Sequence, residues 1–286
     1  MVSWVNSAAE SLFATLFPAD CRLCAAPLVK ISRLPVCEAC LTAIRPIAGG
    51  TCVVCGERLF SPYAFSVVPS ATHSLDQGEP RCGLCRRLEP PFVRATAYGS
   101  YDGGLRELIH LLKYEQVRPA ANVLGRMLAE AIAALEPFFG ADVVLVVPVP
   151  LHREKLRQRG FNQSELIART ALKLRPAKDR LALNTAVLAR LRPTQSQIGL
   201  TRHQRRENLR GAFAVVKPEG IAGREILLVD DVFTTGTTVS ECARILRRGG
   251  ASKVWVATVA RTLKEQANRA EVESKIEVRL ATAAHG

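Results

Sequence analysis

The sequence predicts an α/β fold, a mostly parallel doubly wound sheet preceded by a small cysteine-rich domain. Three observations predict it. Eight of the nine cysteines lie before residue 86, in four Cys-x-x-Cys pairs. Beyond Pro90 and Pro91, strand-like apolar runs alternate with amphipathic helical stretches. Two of those runs, VVLVVPVP at 143–150 and ILLV at 226–229, are apolar throughout, as parallel strands buried on both faces must be.

The chain has 286 residues, room for one large domain or two ordinary ones. Hydrophobic residues make up 48%, enough for a core, yet no apolar run approaches the roughly 18 residues of a membrane span. The N-terminal stretch MVSWVNSAAESLFATLF has neither the basic flank nor the long apolar core of a secretory signal. Its Trp4, Val5, Leu12, Phe13 and Leu16 suit a short amphipathic helix packed on the body. A cytoplasmic protein with no membrane insertion is therefore expected. The expected organisation is a helix in 1–20, a double zinc ribbon in 21–90, an α/β domain in 91–262 and a tail in 263–286.

The cysteine pairs are Cys21/Cys24, Cys37/Cys40, Cys52/Cys55 and Cys82/Cys85. Each pair places two thiolates within reach of one tetrahedral ion. Four pairs in so short a stretch point to zinc, and a reducing cytosol disfavours disulfides. Sequential pairing gives Cys21, Cys24, Cys37 and Cys40 one Zn2+, and Cys52, Cys55, Cys82 and Cys85 another; an interleaved cross-brace is the alternative. Few large apolar residues surround these cysteines, so metal must supply much of their folding energy. Four-thiolate sites are closed, which makes both ions structural.

Along the second part, FVRATAYGSY at 92–101 reads as a strand and LRELIHLL at 105–112 as a helix. A longer helix follows, up to residue 135. The strand at 143–150 and an amphipathic helix at 161–174 come next. Strand candidates at 185–190 and 212–216 precede a strand at 225–230, a helix at 238–248 and a strand at 253–260. Ligands on such sheets bind beyond the carboxyl ends of the strands.

One strand end carries distinctive chemistry. The run Ile226–Val229 stops at two carboxylates, Asp230 and Asp231, and a loop of Thr234, Thr235, Gly236, Thr237 and Thr238 leads into a helix. That helix has its apolar face at Val239, Cys242, Ala243 and Leu246, and Thr238-x-x-Glu241 has capping-box spacing. The first N–H groups of a helix lack intrahelical partners and attract anions. Gly236 allows the backbone to wrap closely round a phosphate, and threonine hydroxyls add donors. The carboxylates repel phosphate but accept hydrogen bonds from sugar hydroxyls. Together these groups complement a ribose bearing a 5-phosphate. A Walker loop is excluded, because no Gly-Lys-Ser/Thr closes the motif. Cys242 reads as a small core hydrophobe.

Net charge is +13, which favours anionic partners. Residues 151–210 alone hold fifteen Lys and Arg against four acids, a net +11. Such a concentration suits either a nucleic-acid surface or pockets for a multiply charged phosphate ester.

VDDVFTTGTT resembles the motif by which type I phosphoribosyltransferases bind phosphoribosyl pyrophosphate (PRPP). LLKYE at 111–115, VPVPLHREKLRQRGFNQSELIA at 147–168 and SQIGLTRHQRRENLRGAF at 196–213 narrow the resemblance. With the cysteine module, the chain from Cys21 to Arg261 resembles the ComF/GntX-like family. The resemblance implies a double zinc ribbon before a phosphoribosyltransferase domain in 91–262. It also implies PRPP as ligand, carried with Mg2+. Asp230 and Asp231 would then hold the ribose hydroxyls and the ion, and Thr234 to Thr238 the 5-phosphate. The basic loop after the 143–150 strand is assigned to pyrophosphate, with Lys155 and Arg159 favoured. Gln197, Arg205 and Asn208 match the family pattern in a polar loop, 194–211, of the kind that closes over PRPP. Lys113 also matches the family. Asn162 and Ser164 suit the cap of the helix that follows.

Two functions are consistent with this reading. One is phosphoribosyl transfer with pyrophosphate release, catalysed around Asp230, Asp231 and Arg205, to an acceptor that no segment identifies. The other is a non-catalytic PRPP-sensing accessory that binds nucleic acid, single-stranded DNA or a DNA-uptake assembly, since the family resemblance suggests a role in DNA uptake and competence.

Overall fold

The computed structural model describes residues 20–28, 33–59, 79–175, 180–194 and 201–263. The helix expected before residue 20 and nearly all of the tail beyond 263 lie outside them. The cysteine-rich stretch contains two short helices, α1 (Glu38–Ala43) and α2 (Gly83–Arg87), whose N-caps are Cys37 and Cys82. The α/β part runs β1 (Arg94–Ser100), α3 (Gly103–Tyr114), α4 (Ala120–Ala133), β2 (Val144–Pro148), α5 (Arg153–Arg159), α6 (Gln163–Lys173) and β3 (Leu181–Leu183). It continues through β4 (Leu188–Arg190), α7 (Arg202–Leu209), β5 (Phe213–Val215), β6 (Glu225–Phe233), α8 (Thr237–Arg248) and β7 (Lys253–Arg261).

Five strands form one sheet in the order β1-β7-β6-β2-β3, and every neighbouring pair is parallel. Side chains alternate across it, as the twofold strand period requires. Val144, Val146, Leu227, Val229, Trp255 and Ala257 pack under α3, α4 and α6. Leu145, Val147, Ile226, Leu228, Val254 and Val256 face α8, β5 and Ile221 on the other side. Both faces are therefore dry, which explains why these strands are apolar without alternation in sequence.

The strands read at 185–190 and 212–216 stand apart from this sheet. They become the antiparallel pair β4–β5, with Leu188 opposite Val215 and Arg190 opposite Phe213. Two segments read as loops are helices. The basic stretch Arg153–Arg159 is helical and ends on Gly160 in the left-handed region, φ +77°. Arg202–Leu209 is helical and carries a capping box between Thr201 and Gln204. Both are short and polar on nearly every face, so neither has the apolar stripe from which helices are read.

The topology fixes where a ligand belongs. From β2 the chain moves outward to β3, and from β6 it moves the opposite way to β7. The carboxyl ends of β2 and β6 therefore flank a crevice, the switch point at which doubly wound sheets bind ligands. Among the described residues no helix is long and apolar enough to cross a membrane.

Candidate functional site at the strand ends

Strand β6 delivers Asp230 and Asp231 to this crevice, 9% and 4% exposed. Asp230 Oδ1 accepts hydrogen bonds from Ser164 Oγ and from the Asp231 backbone N–H, each 3.0 Å. Asp231 Oδ2 forms an ion pair with Lys113 Nζ, which arrives from the last turn of α3. The pair is polarised. Burial, and then the neighbouring Asp231 charge, push the Asp230 carboxyl up to about 8. Burial also acts to raise Asp231, but the charge and hydrogen bond of Lys113 outweigh it and hold Asp231 below its ordinary value. Lys113 is held above its own ordinary value for the reciprocal reason, burial being overcome by Asp231.

Cations surround the carboxylates. Arg159, 7% exposed, donates to Gln163 Oε1 and lies 5.7 Å from the Tyr114 ring centroid. Lys155 is lowered by partial burial and then by the positive charges of Arg159, Arg190 and Lys113. Arg190, on β4, is lowered by burial but favoured by the charge of Asp230, and its guanidinium sits over Phe213 at 5.3 Å. Lys155 thus feels the other three cations, from α3, α5 and β4, and each of the four feels at least one of the two carboxylates. An ionic ligand must bring negative charge to the Lys and Arg side, and neutral donors to Asp230 and Asp231.

The threonine loop stands next to them. Gly236 is the N-cap of α8 with φ +74° and, lacking a side chain, makes no cap hydrogen bond of its own. The N-cap thus lies two residues before the Thr238 that the capping-box spacing suggests, and Glu241 pairs with Arg244 instead. The N-terminus of α8, with the positive end of its dipole, therefore lies at this loop. Thr235 Oγ1 and Thr237 Oγ1 are hydrogen-bonded at 2.7 Å. Thr234 is exposed and Thr238 half-buried. Beside this loop a cavity of about 500 Å³ is lined by Thr235, Thr237 and Ser240 on one side and by Arg206 of α7 and its C-cap Arg210 on the other.

The remaining expectations are distributed as follows. Arg205 is half-buried on α7, and Asn208 offers its carbonyl to Arg192 Nη2 at 3.1 Å. Gln197 lies outside the described residues. Asn162 caps α6 by accepting from Ser164 N–H at 3.1 Å. Ser164 turns its hydroxyl to Asp230, a use that its capping position concealed. Arg190, Arg206 and Arg210 were visible only as members of a basic stretch; their relation to the crevice depends on the β4–β5 pairing and the α7–α8 packing.

The cysteines gather as two tetrads, Cys21, Cys24, Cys37 and Cys40, and Cys52, Cys55, Cys82 and Cys85, with the sulfurs of each within 4.8 Å of one another. The arrangement is sequential. Sulfur separations of 3.9 Å (Cys21–Cys40), 3.7 Å (Cys24–Cys37) and 3.7 Å (Cys55–Cys82) match the ~3.8 Å edge of a tetrahedron with ~2.3 Å metal–sulfur bonds. Backbone N–H groups of Cys37 and Cys40 donate to Cys21 and Cys37 sulfur at 3.3 and 3.4 Å, which favours thiolates. The donor sets therefore fit a tetrahedral, thiophilic divalent ion.

With the fold and site in view, the class is clear: residues 181–283 match the phosphoribosyl transferase domain family. Over longer stretches, the DNA utilization protein YhgH of Salmonella typhimurium is 32% identical across 249 residues, 86% of this chain and 98% of that protein. Competence protein F of Haemophilus influenzae is 29% identical and covers 79% of this chain and 96% of its own. Competence protein ComFC of Bacillus subtilis is 23% identical, covering 79% and 84%. The chain belongs to the ComF/GntX-like family, with two four-cysteine clusters ahead of its phosphoribosyltransferase domain. Among solved structures, that of the allosteric regulatory enzyme of purine biosynthesis is 22% identical with a TM-score of 0.32. That match covers 50% of this chain and 26% of that one.

Proposed function

We propose that this protein binds PRPP and transfers its phosphoribosyl group with release of pyrophosphate. The observation that carries the reading is the meeting of a polarised aspartate pair, four cations and a helix N-terminus entered through Gly236 at the switch point between β2 and β6. In this reading the 5-phosphate lies against Thr234, Thr235, Gly236, Thr237, Thr238 and the first N–H groups of α8. Arg206 and Arg210 face it across the cavity. Asp230 and Asp231 accept hydrogen bonds from the ribose hydroxyls. Lys155 and Arg159, joined by Arg190 and Lys113, take the pyrophosphate.

Transfer breaks the C1–oxygen bond to pyrophosphate and forms a bond from C1 to the acceptor. Pyrophosphate leaves with the bonding electrons, and the acceptor gives up a proton. Positive charge grows at C1 near the carboxylates, and negative charge grows on the leaving group near the cations. Electrostatic preorganisation of both kinds lowers the barrier. Arg205 and Gln197 belong to the segment that closes over the ligand and excludes water. The oxygen donors of Asp230 and Asp231 suit Mg2+, which would neutralise charge on the phosphates. Lys113 already pairs with Asp231, so the ligand's own phosphate oxygens would supply further donors to the ion. Two Zn2+ ions are assigned to the cysteine tetrads as structural elements.

A link to DNA uptake rests on the relatives named as DNA utilization and competence proteins, and on the +11 charge of residues 151–210. A PRPP-sensing accessory that binds single-stranded DNA is the second reading, favoured by that same charge. The discriminating experiment is a screen of thermal shift and pyrophosphate release, with PRPP, Mg2+ and a panel of base and amine acceptors. Enzymatic transfer requires pyrophosphate release that depends on one acceptor. Stabilisation by PRPP with no release under any acceptor, together with salt-dependent DNA binding that PRPP displaces, selects the accessory role. No stabilisation by PRPP at all overturns both.

A further inference from the structure

The last residue of β7, Arg261, is a buried cation that the proposed chemistry does not use. It is 4% exposed, and its register partner in β6 is Phe233. Its guanidinium reaches away from the crevice into the second cysteine tetrad. Nη2 pairs with Glu57 Oε2 at 2.8 Å and approaches Cys55 Sγ at 3.8 Å, while Nη1 donates to the Cys55 carbonyl. Glu57 is itself 5% exposed and belongs to the same knuckle: the Cys52 N–H donates to its carbonyl at 2.7 Å. The same guanidinium lies 4.5 Å from the centroid of the Phe233 ring.

Phe233 is the floor of the threonine loop. Its ring is wedged edge-on against Phe92 at 6.2 Å. A Cβ added to Gly236 would come within 2.6 Å of Phe233 Cζ, so the ring sets how closely the loop can approach the sheet. One continuous path of contacts therefore joins the Cys52–Glu57 knuckle, Arg261, Phe233, Gly236 and the first turn of α8. The first tetrad does not touch Arg261 or Phe233 in any of these contacts. It packs instead with α3 and α4 on the opposite face of the sheet.

We propose that Arg261 is a positioning residue that couples the second cysteine tetrad to the phosphate loop. The metal-held knuckle fixes the guanidinium, the guanidinium fixes the Phe233 ring, and the ring fixes Gly236 and the N–H groups that receive phosphate. A divalent ion held by four thiolates leaves a net charge of about −2, and Arg261 is the cation turned toward it. Coupling of this kind is reciprocal: if an intact second tetrad tightens phosphate binding, bound phosphate must retain that tetrad's metal. The first tetrad must be indifferent.

This inference rests on the phosphate-ester reading of the loop, so the test separates the two. Ribose 5-phosphate is titrated calorimetrically into the zinc-loaded full chain. In parallel, a chelator and a thiol-alkylating reagent are added with and without ribose 5-phosphate, and labelling of each cysteine is followed by mass spectrometry. The expected result is ribose 5-phosphate binding that slows labelling of Cys52, Cys55, Cys82 and Cys85 about fivefold and leaves Cys21, Cys24, Cys37 and Cys40 unchanged. Arg261→Met should weaken ribose 5-phosphate about tenfold and abolish the ligand's effect on labelling. Phe233→Leu, which leaves the Arg261–Glu57 pair intact, should do the same and covers the case in which Arg261→Met fails to fold. Binding by the wild type with equal labelling of both tetrads overturns the coupling while sparing the phosphate site. No binding by the wild type overturns both.

Discussion

Asp230 and Asp231 are neighbours in sequence, yet their protons behave oppositely because Lys113 forms its ion pair with only one of them. Burial and the Asp231 charge push the Asp230 carboxyl up to about 8 in the folded chain. The folded state therefore binds the extra proton, and this contribution to stability is full at acid pH and is lost as pH rises toward 8. Asp230→Asn removes that titration, so the melting temperature of the variant should gain on the wild type from pH 5 to pH 8 in the absence of ligand and level off above. A gap that stays constant over this range contradicts the polarised pair. Gly236 makes a second residue-scale case. Its positive φ and the 2.6 Å approach of a Cβ to Phe233 both oppose a side chain. Gly236→Ala should cost about 1–3 kcal/mol in urea unfolding and weaken phosphate-ester binding as well. The carboxylates, the threonines and the glycine are legible in sequence because one short segment holds them all. Lys113 is marked in sequence only by the family match, without a role, and Arg190 only as one of a basic stretch, since each reaches the carboxylates through the packing of α3 or the β4–β5 pair.

At the scale of elements, α5 carries Lys155 and Arg159 and α7 carries Arg206, and both segments were expected to be loops. Helix α7 lies against α8, so that Arg206 and Arg210 face Thr235 and Thr237 across the cavity. Replacing both arginines with serine should weaken ribose 5-phosphate about tenfold at low salt and much less at high salt, as screening predicts. An equal loss at all salt concentrations would point to a packing defect rather than to lost charge. Strand and helix order from β1 to β7 was readable because fully apolar strands alternate with amphipathic helices. Strand β3, only three residues long, was missed: Leu181–Leu183 is too short to show a period. The sheet order β1-β7-β6-β2-β3 was beyond reach too, because it is decided by which faces pack and not by any local signal.

Across the whole molecule, the cysteine tetrads are continuous with the core. Cys21 shares an apolar cluster with α3 and α4, while Cys52, Cys55, Cys82 and Cys85 share another with Phe92, Ala95 and Phe233. The Ala95 N–H donates to the Val54 carbonyl at 2.7 Å and that of Ile47 to Tyr98 at 2.7 Å, so backbone bonds also cross between the two parts. Removing the metal should therefore lower the melting temperature of the α/β part by ~10 °C or more, since structural zinc contributes folding free energy directly. Independent melting of the α/β part at an unchanged temperature would contradict this continuity. The central claim, a ribose-phosphate site at the ends of β2 and β6, is tested most directly by calorimetric titration of PRPP with Mg2+. The titration is run on the wild type and on the double variant Asp230→Asn, Asp231→Asn, which keeps shape and removes charge. The expected result is saturable binding at one site per chain in the wild type, and at least a ~100-fold loss in a double variant that still binds its metal. Equal binding by both proteins would contradict the claim.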